Sequence, residues 1–177
     1  MDKNKNLLIL GAGQYGEIAK ETAESMGCFE KISFLDDSYK GDNKENNLIV
    51  GKLCDYKNFA KEYAYAIVAI GNSELRLKYI EEIKNAQFKV ATLISPRAYV
   101  SSSAIVMYGS IVEAMSVINA NASIAVGVYV CAGAIVNHNS IVEDGSTLQC
   151  GSVVSANSRV LTRTILGYNE VFVKNKS

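Results

Sequence analysis

The chain has 177 residues, of which 49% are hydrophobic and 20% charged, and 18 basic side chains balance 18 acidic ones. This composition predicts a folded protein of one or two small domains, and a net charge of zero argues against nucleic-acid binding. No apolar stretch approaches the ~20 residues that cross a bilayer, so we predict a cytoplasmic protein that does not span a membrane.

A single His and four Cys limit the chemistry further. The Cys residues form no CxxC pair and no zinc spacing, so we predict no metal site. His138 is the only side chain whose ordinary pKa suits a base at neutral pH.

Residues 1–91 alternate strand and helix patterns. The apolar run Leu7–Leu10 predicts a buried strand, and residues 31–35 and 65–70 predict two more. A helix follows the first strand, and residues 75–86 predict another. This order is typical of a small parallel sheet covered by helices, a Rossmann-like α/β domain.

A GxGxxG motif, Gly11, Gly13 and Gly16, joins the first strand to its helix, with Asp36 and Asp37 following the second strand. Taken alone, this pattern predicts dinucleotide binding, because a helix N-terminus suits phosphate and an acidic residue about 20 positions on suits ribose. A tight turn without a ligand is the alternative. Arg76, after the third strand, suits either a phosphate contact or a helix-surface position.

Beyond residue 92 the helical pattern gives way to a period of six. Neither an α-helix nor a hairpin has this period, whereas a parallel β-helix does. With three faces a coil takes about 18 residues, so the 84 residues from Ile94 onward predict about 4.7 coils. The repeated aliphatic or aromatic positions are Ile94, Val100, Val106, Val112, Ile118, Ile124, Val130, Val136, Val142, Leu148, Val154, Val160, Leu166 and Phe172.

Two further columns fit the same lattice. Four residues after each aliphatic stands a small or β-branched residue, which allows corners to close. Three residues after it stands, in most repeats, Gly or Asn, the residues that best tolerate left-handed backbone. That second column includes Gly109, Asn121, Gly127, Gly133, Asn139, Gly145, Gly151 and Asn157.

These motifs resemble the hexapeptide-repeat nucleotide-sugar acetyltransferases of the bacillosamine and sialic-acid pathways. The resemblance rests on LLILGAGQYG, FLDD, IVGKL and AIGNSELR in the first half, and on SPRAYVSSSAIV, INANASI and GAIVNHNSIV in the second. It implies a nucleotide-sugar-binding domain over 1–91 and a left-handed β-helix acyltransferase domain over 92–177. It also implies a homotrimer, with acetyl-CoA along the β-helix and the sugar near a neighbouring subunit's catalytic His.

Residue by residue, the resemblance makes His138 the general base and Asn139, where the family has an acidic residue, its partner. Asn139 can orient a ring N–H through its amide oxygen. A family Asn is Cys131 here, and a second family His that contacts acetyl-CoA is Thr147. The implied cofactor-binding positions are Thr147 and Ala156, and the implied substrate-binding positions are Gly11, Gly13, Gln14, Tyr15, Asp36, Asp37 and Gly71.

Two other functions stay open at this stage. The replacements at positions 131, 139 and 147 allow a catalytically impaired protein that binds a nucleotide sugar or serves as a scaffold. The GxGxxG motif allows an NAD-dependent enzyme with a β-helical oligomerisation tail.

Overall fold

The computed structural model describes residues 4–41 and 48–173. The chain divides into two compact units, Met1–Ala91 and Thr92–Ser177, and each is treated by itself below. Within the described residues, no helix has the length and apolar character that a membrane crossing requires.

The first unit is built on a five-stranded parallel sheet with strand order β3-β2-β1-β4-β5. Helix α1 packs against β1, and α2 packs against β4 and β5. The elements are β1 Leu7–Leu10, α1 Gln14–Met26, β2 Ile32–Leu35, β3 Ile49–Gly51, a 3₁₀ helix Leu53–Phe59, β4 Tyr65–Val68, α2 Ser73–Asn85 and β5 Lys89–Val90.

Local chemistry sets the helix boundaries. Helix α1 ends at Gly27, whose φ of 63° is the left-handed conformation in which glycine closes a helix. Helix α2 begins two residues earlier than predicted because the side-chain oxygen of Asn72 accepts the N–H of Leu75 at 2.9 Å. We did not predict β3, β5 and the 3₁₀ helix, because they are too short to show a clear hydrophobic periodicity.

The second unit is a parallel β-helix of 14 two-residue strands, β6 to β19. Each strand pairs in parallel with the strand one predicted coil further along the chain, as Val117 does with Ile135, so three sheets form the faces of a prism. The predicted coil length is confirmed. The strands are Leu93–Ile94, Tyr99–Val100, Ile105–Val106, Ile111–Val112, Val117–Ile118, Ser123–Ile124, Tyr129–Val130, Ile135–Val136, Ile141–Val142, Thr147–Leu148, Val153–Val154, Arg159–Val160, Ile165–Leu166 and Val171–Phe172.

The three sequence columns have separate structural roles. Aliphatic side chains from Val112 to Leu166 fill the interior and are almost fully buried. In the small-residue column, the hydroxyls of Ser110, Ser140 and Ser146 each donate to the carbonyl group 15 residues further along the chain. In the turn column every residue from Gly109 to Asn169 has a positive φ, including Met115 and Arg163. The predicted left-handed turns are confirmed.

Because the interior aliphatic column holds the coils together, we expect Leu148→Ala to lower the free energy of unfolding by about 2–5 kcal/mol through lost burial and a residual cavity. Leu161→Ala is the matched control, since Leu161 is 63% exposed and should change stability by less than about 0.5 kcal/mol. Urea unfolding measures both, and equal losses would contradict this packing.

Candidate functional site

The first unit brings its predicted substrate-binding residues together at the carboxyl ends of strands β1, β2 and β4. Strand order reverses at β1, since β2 and β3 lie on one side and β4 and β5 on the other. Open α/β sheets bind ligands outside the strand ends at such a reversal. The loops after β1, β2 and β4 meet there, and these loops with the first turn of α1 carry all the residues that we predicted to bind substrate.

The three glycines of the GxGxxG motif differ in purpose. Gly11 has a φ of 104°, and a Cβ there would lie 2.7 Å from the carbonyl oxygen of Ala69. A Cβ on Gly16 would overlap the carbonyl oxygen of Gly11. Gly13 is exposed, has an ordinary φ of −77°, and a Cβ there would meet nothing within 4 Å. Packing thus requires the outer two glycines, while Gly13 leaves space at the N-terminus of α1.

Asp36 ties the loop after β2 to the glycine loop. One carboxylate oxygen accepts the N–H of Ala12 at 2.8 Å, and the other accepts the N–H of Ser38 at 2.9 Å. Partial burial opposes ionisation, but the hydrogen bonds from Ala12 and Ser38 outweigh it and hold the pKa of Asp36 below its usual range. Asp37 is exposed, and its carboxylate accepts the N–H of Leu53 at 3.2 Å.

The loop after β4 brings Gly71 beside the glycine motif. The ring of Tyr15 lies 3.5 Å from the position that a Cβ on Gly71 would take. Gln14 is exposed on the first turn of α1. The helix-surface position is wrong for Arg76, because the residue is fully buried and donates to the carbonyl oxygens of Ile70 at 2.8 Å and Gly71 at 3.1 Å. Arg76 therefore holds the loop after β4 from its buried side. Its phosphate contact stays a prediction.

In the second unit, His138 is exposed in the turn between β13 and β14, two residues after β13 ends. Ala120 and Ala156 take the equivalent positions one coil before and one coil after it. The main chain is fixed here, since the N–H of Asn157 donates to the carbonyl oxygen of His138 at 3.1 Å. Small neighbours above and below leave the imidazole accessible.

Asn139 contacts the imidazole through its amide nitrogen. The distance from Nδ2 of Asn139 to Nδ1 of His138 is 3.1 Å. An amide nitrogen only donates, so Nδ1 accepts in this arrangement. We predicted an amide oxygen facing a ring N–H, and the observed contact has the opposite polarity. Residue types alone do not reveal which end of an amide faces a neighbour.

The other family-aligned positions of the β-helix differ in accessibility. Thr147 lies on β15, a different face from His138, and is only 4% exposed. Cys131 is 3% exposed, and burial, with the charge of Glu113, raises the pKa of its thiol. Ala156 is half-buried and one coil from His138. The structure groups His138, Asn139 and Ala156, but it does not bring Thr147 to them.

Several known proteins are similar to this chain in sequence and in fold. Residues 6–83 match the model of the PglD N-terminal domain. The acetyltransferase domain of PglB from Neisseria gonorrhoeae FA1090, in complex with acetyl coenzyme A, shares 30% identity with a TM-score of 0.89. The alignment covers 97% of this chain and 83% of that one. This likeness confirms the predicted left-handed β-helix after a Rossmann-like domain, the architecture of the hexapeptide-repeat acyltransferases.

The chain belongs to the acetyltransferase family of the PglB domain, and its residues 6–83 form a PglD N-terminal domain. UDP-N-acetylbacillosamine N-acetyltransferase of Bacillus subtilis (strain 168) is 25% identical over 113 residues, which are 62% of this chain. The match spans about half, 52%, of that relative's length. A mutant of perosamine N-acetyltransferase from Caulobacter crescentus, in complex with CoA and GDP-perosamine, shares the fold at 23% identity and a TM-score of 0.78, covering 96% of this chain and 89% of that one.

The contrast between Gly16 and Gly13 gives a direct test of how the glycine motif packs. We expect Gly16→Ala to lower the free energy of unfolding by about 1–3 kcal/mol, because the new methyl group meets the Gly11 carbonyl. Gly13→Ala should change it by less than about 1 kcal/mol. Denaturant unfolding compares the two, and a larger loss for Gly13→Ala would contradict the assigned roles.

The lowered pKa of Asp36 predicts an acid-dependent stability. In the unfolded chain Asp titrates near its usual value of about 3.9, so as the pH falls the unfolded state binds the proton first. The stability that Asp36 contributes should be complete above about pH 5 and lost as pH falls through the lower folded-state pKa. Unfolding at pH 6 and pH 3 should therefore show a smaller acid loss for Asp36→Asn than for wild type. An equal loss in both proteins would remove this role.

Proposed function

We propose that this protein is an acetyltransferase that moves an acetyl group from acetyl-CoA to the amine or hydroxyl of a nucleotide-linked sugar. The observation that carries the proposal is the exposed His138 in the turn between β13 and β14, with the side-chain amide of Asn139 beside its ring. Family membership supports the reaction class, and the acetyl coenzyme A in the PglB domain structure supports the donor.

His138 is the proposed general base. As the sugar nucleophile attacks the carbonyl carbon of the thioester, Nε2 of His138 accepts the proton that the nucleophile loses. Collapse of the tetrahedral intermediate breaks the carbon–sulfur bond, and the imidazolium can return the proton to the leaving CoA thiolate. Backbone N–H groups of the coil are the proposed donors to the oxyanion.

The proposed nucleotide-sugar site of the first unit lies at the carboxyl ends of β1, β2 and β4. Gly13 leaves open space at the N-terminus of α1, where free N–H groups and the helix dipole favour a diphosphate. Asp36 and Asp37 are the proposed contacts to the nucleoside, since a carboxylate oxygen has two lone pairs and can accept further hydrogen bonds beside those to Ala12, Ser38 and Leu53. Gly11, Gln14, Tyr15 and Gly71 complete the proposed site.

The two residues predicted to contact acetyl-CoA differ in their exposure. Ala156 is half-buried one coil from His138, which supports a contact there. Thr147 stays a prediction, but its 4% exposure limits it to an indirect role in the chain as it stands.

The proposed assembly is a homotrimer, and the proposed location is the cytoplasm. One sheet of the β-helix turns apolar side chains outward, which supports packing against another copy. Val117, Ile135 and Val153 are half-buried on this face, while Tyr99 and Val171 are 59% and 58% exposed.

Substitution of the proposed base tests the function. We expect His138→Ala to lower kcat by about 10²–10⁴-fold in an acetyl-CoA assay with a panel of UDP- and GDP-linked amino sugars. The folded structure should persist, because the side chain is exposed.

Tyr168→Ala is the matched control, since Tyr168 holds the same place in a later repeat and is 70% exposed. Its kcat should equal that of wild type. Equal turnover in wild type and His138→Ala would refute the general base. Nucleotide-sugar binding without turnover or acetyl-CoA binding, measured by calorimetry, would favour the impaired binding protein instead.

A further inference from the structure

Three asparagines form a hydrogen-bonded ladder along the corner that carries His138. Asn121, Asn139 and Asn157 lie one coil apart, with φ values of 57°, 57° and 56°. Nδ2 of Asn121 donates to Oδ1 of Asn139 at 3.1 Å, and Nδ2 of Asn139 donates to Oδ1 of Asn157 at 3.4 Å. We define these three side chains as the asparagine ladder.

The asparagine ladder has a direction. Each amide offers a donor at one end and an acceptor at the other, so all three must point the same way for both bonds to form. In the structure, the amide nitrogen of Asn139 points toward Asn157 and also toward Nδ1 of His138. Rotating all three amides by a half-turn would preserve the ladder but place the Asn139 oxygen beside Nδ1.

We propose that the direction of the asparagine ladder sets the tautomer of His138. In the observed direction Nδ1 accepts a hydrogen bond, so the neutral ring carries its hydrogen on Nε2. In the reverse direction the Asn139 oxygen would accept from Nδ1–H, and Nε2 would be the basic nitrogen. Asn121 and Asn157 are thus positioning residues that act through Asn139.

The consequence for catalysis rests on the proposed function of His138. A general base that works through Nε2 needs the tautomer with hydrogen on Nδ1. The observed ladder direction favours the other tautomer, so the ladder must reverse before His138 can accept the substrate's proton. Ladder direction therefore controls the fraction of enzyme ready to react.

A matched pair of substitutions separates ladder direction from charge. A carboxylate only accepts, so Asn121→Asp would draw the Asn139 nitrogen toward itself and reverse the ladder. Asn157→Asp would accept from the Asn139 nitrogen and hold the observed direction. Both changes add one negative charge, one coil away from Asn139, at positions that are exposed.

The test is ¹⁵N NMR on histidine-labelled protein in alkaline buffer, at about pH 9, which selects the neutral ring. His138 is the only histidine, so both ring-nitrogen signals belong to it. Their couplings tell them apart, because Nε2 lies two bonds from both ring C–H protons and Nδ1 from only one. We expect hydrogen on Nε2 in wild type and Asn157→Asp, and on Nδ1 in Asn121→Asp. Asn139→Asp supplies the reference spectrum for hydrogen on Nδ1, and thermal unfolding by circular dichroism checks that each variant is folded.

The same tautomer in the Asn121→Asp and Asn157→Asp proteins, or hydrogen on Nδ1 in wild type, would overturn the proposal. In turnover, Asn121→Asp should raise kcat by roughly fivefold, the factor that one net hydrogen bond contributes, and Asn157→Asp should not raise it. A tautomer switch without any change in kcat would retain the ladder effect and instead count against His138 as the base. The NMR result therefore tests the ladder effect, and the kinetic result separately tests the proposed role of His138 as the base.

Discussion

Parallel pairing of each short strand with the strand one coil further along the chain is the constraint on which the second unit depends. It places equivalent lattice positions directly above one another, so each column of the sequence becomes a column in space. The interior is apolar because one column is apolar, and the corners turn because another column takes positive φ. His138 gains its accessibility in the same way, because the positions above and below it are alanines.

In the first unit, a few buried residues determine the paths of the loops. Its sheet needs two glycines so that the first loop can lie against β4 and against its own helix, and it needs Arg76 to hold the β4 loop from inside. A fully buried guanidinium is tolerated because backbone carbonyl groups accept its N–H donors. Structural residues thereby occupy the inside of each loop, which leaves Gly13, Gln14 and Asp37 facing outward.

The sequence was sufficient for the β-helix because its period is long and unbroken, and it was sufficient for the main strands and helices of the first unit. It was insufficient where the deciding contact depends on the folded path of the chain. The buried position of Arg76 depends on the path of the loop before α2, and Thr147 is buried on a face that the repeat pattern does not distinguish from the other two. The polarity of the Asn139 contact depends on amides one coil away in both directions, which no local motif encodes.

The two-residue strands have a consequence for how such a chain can vary. Each coil bonds only to the coils before and after it, so substitutions at outward positions remain local. An insertion of one residue inside a strand would shift every later side chain out of its column. Insertions can therefore be absorbed only at corners, or as whole coils, and the length of this domain is quantised by its hydrogen-bond register.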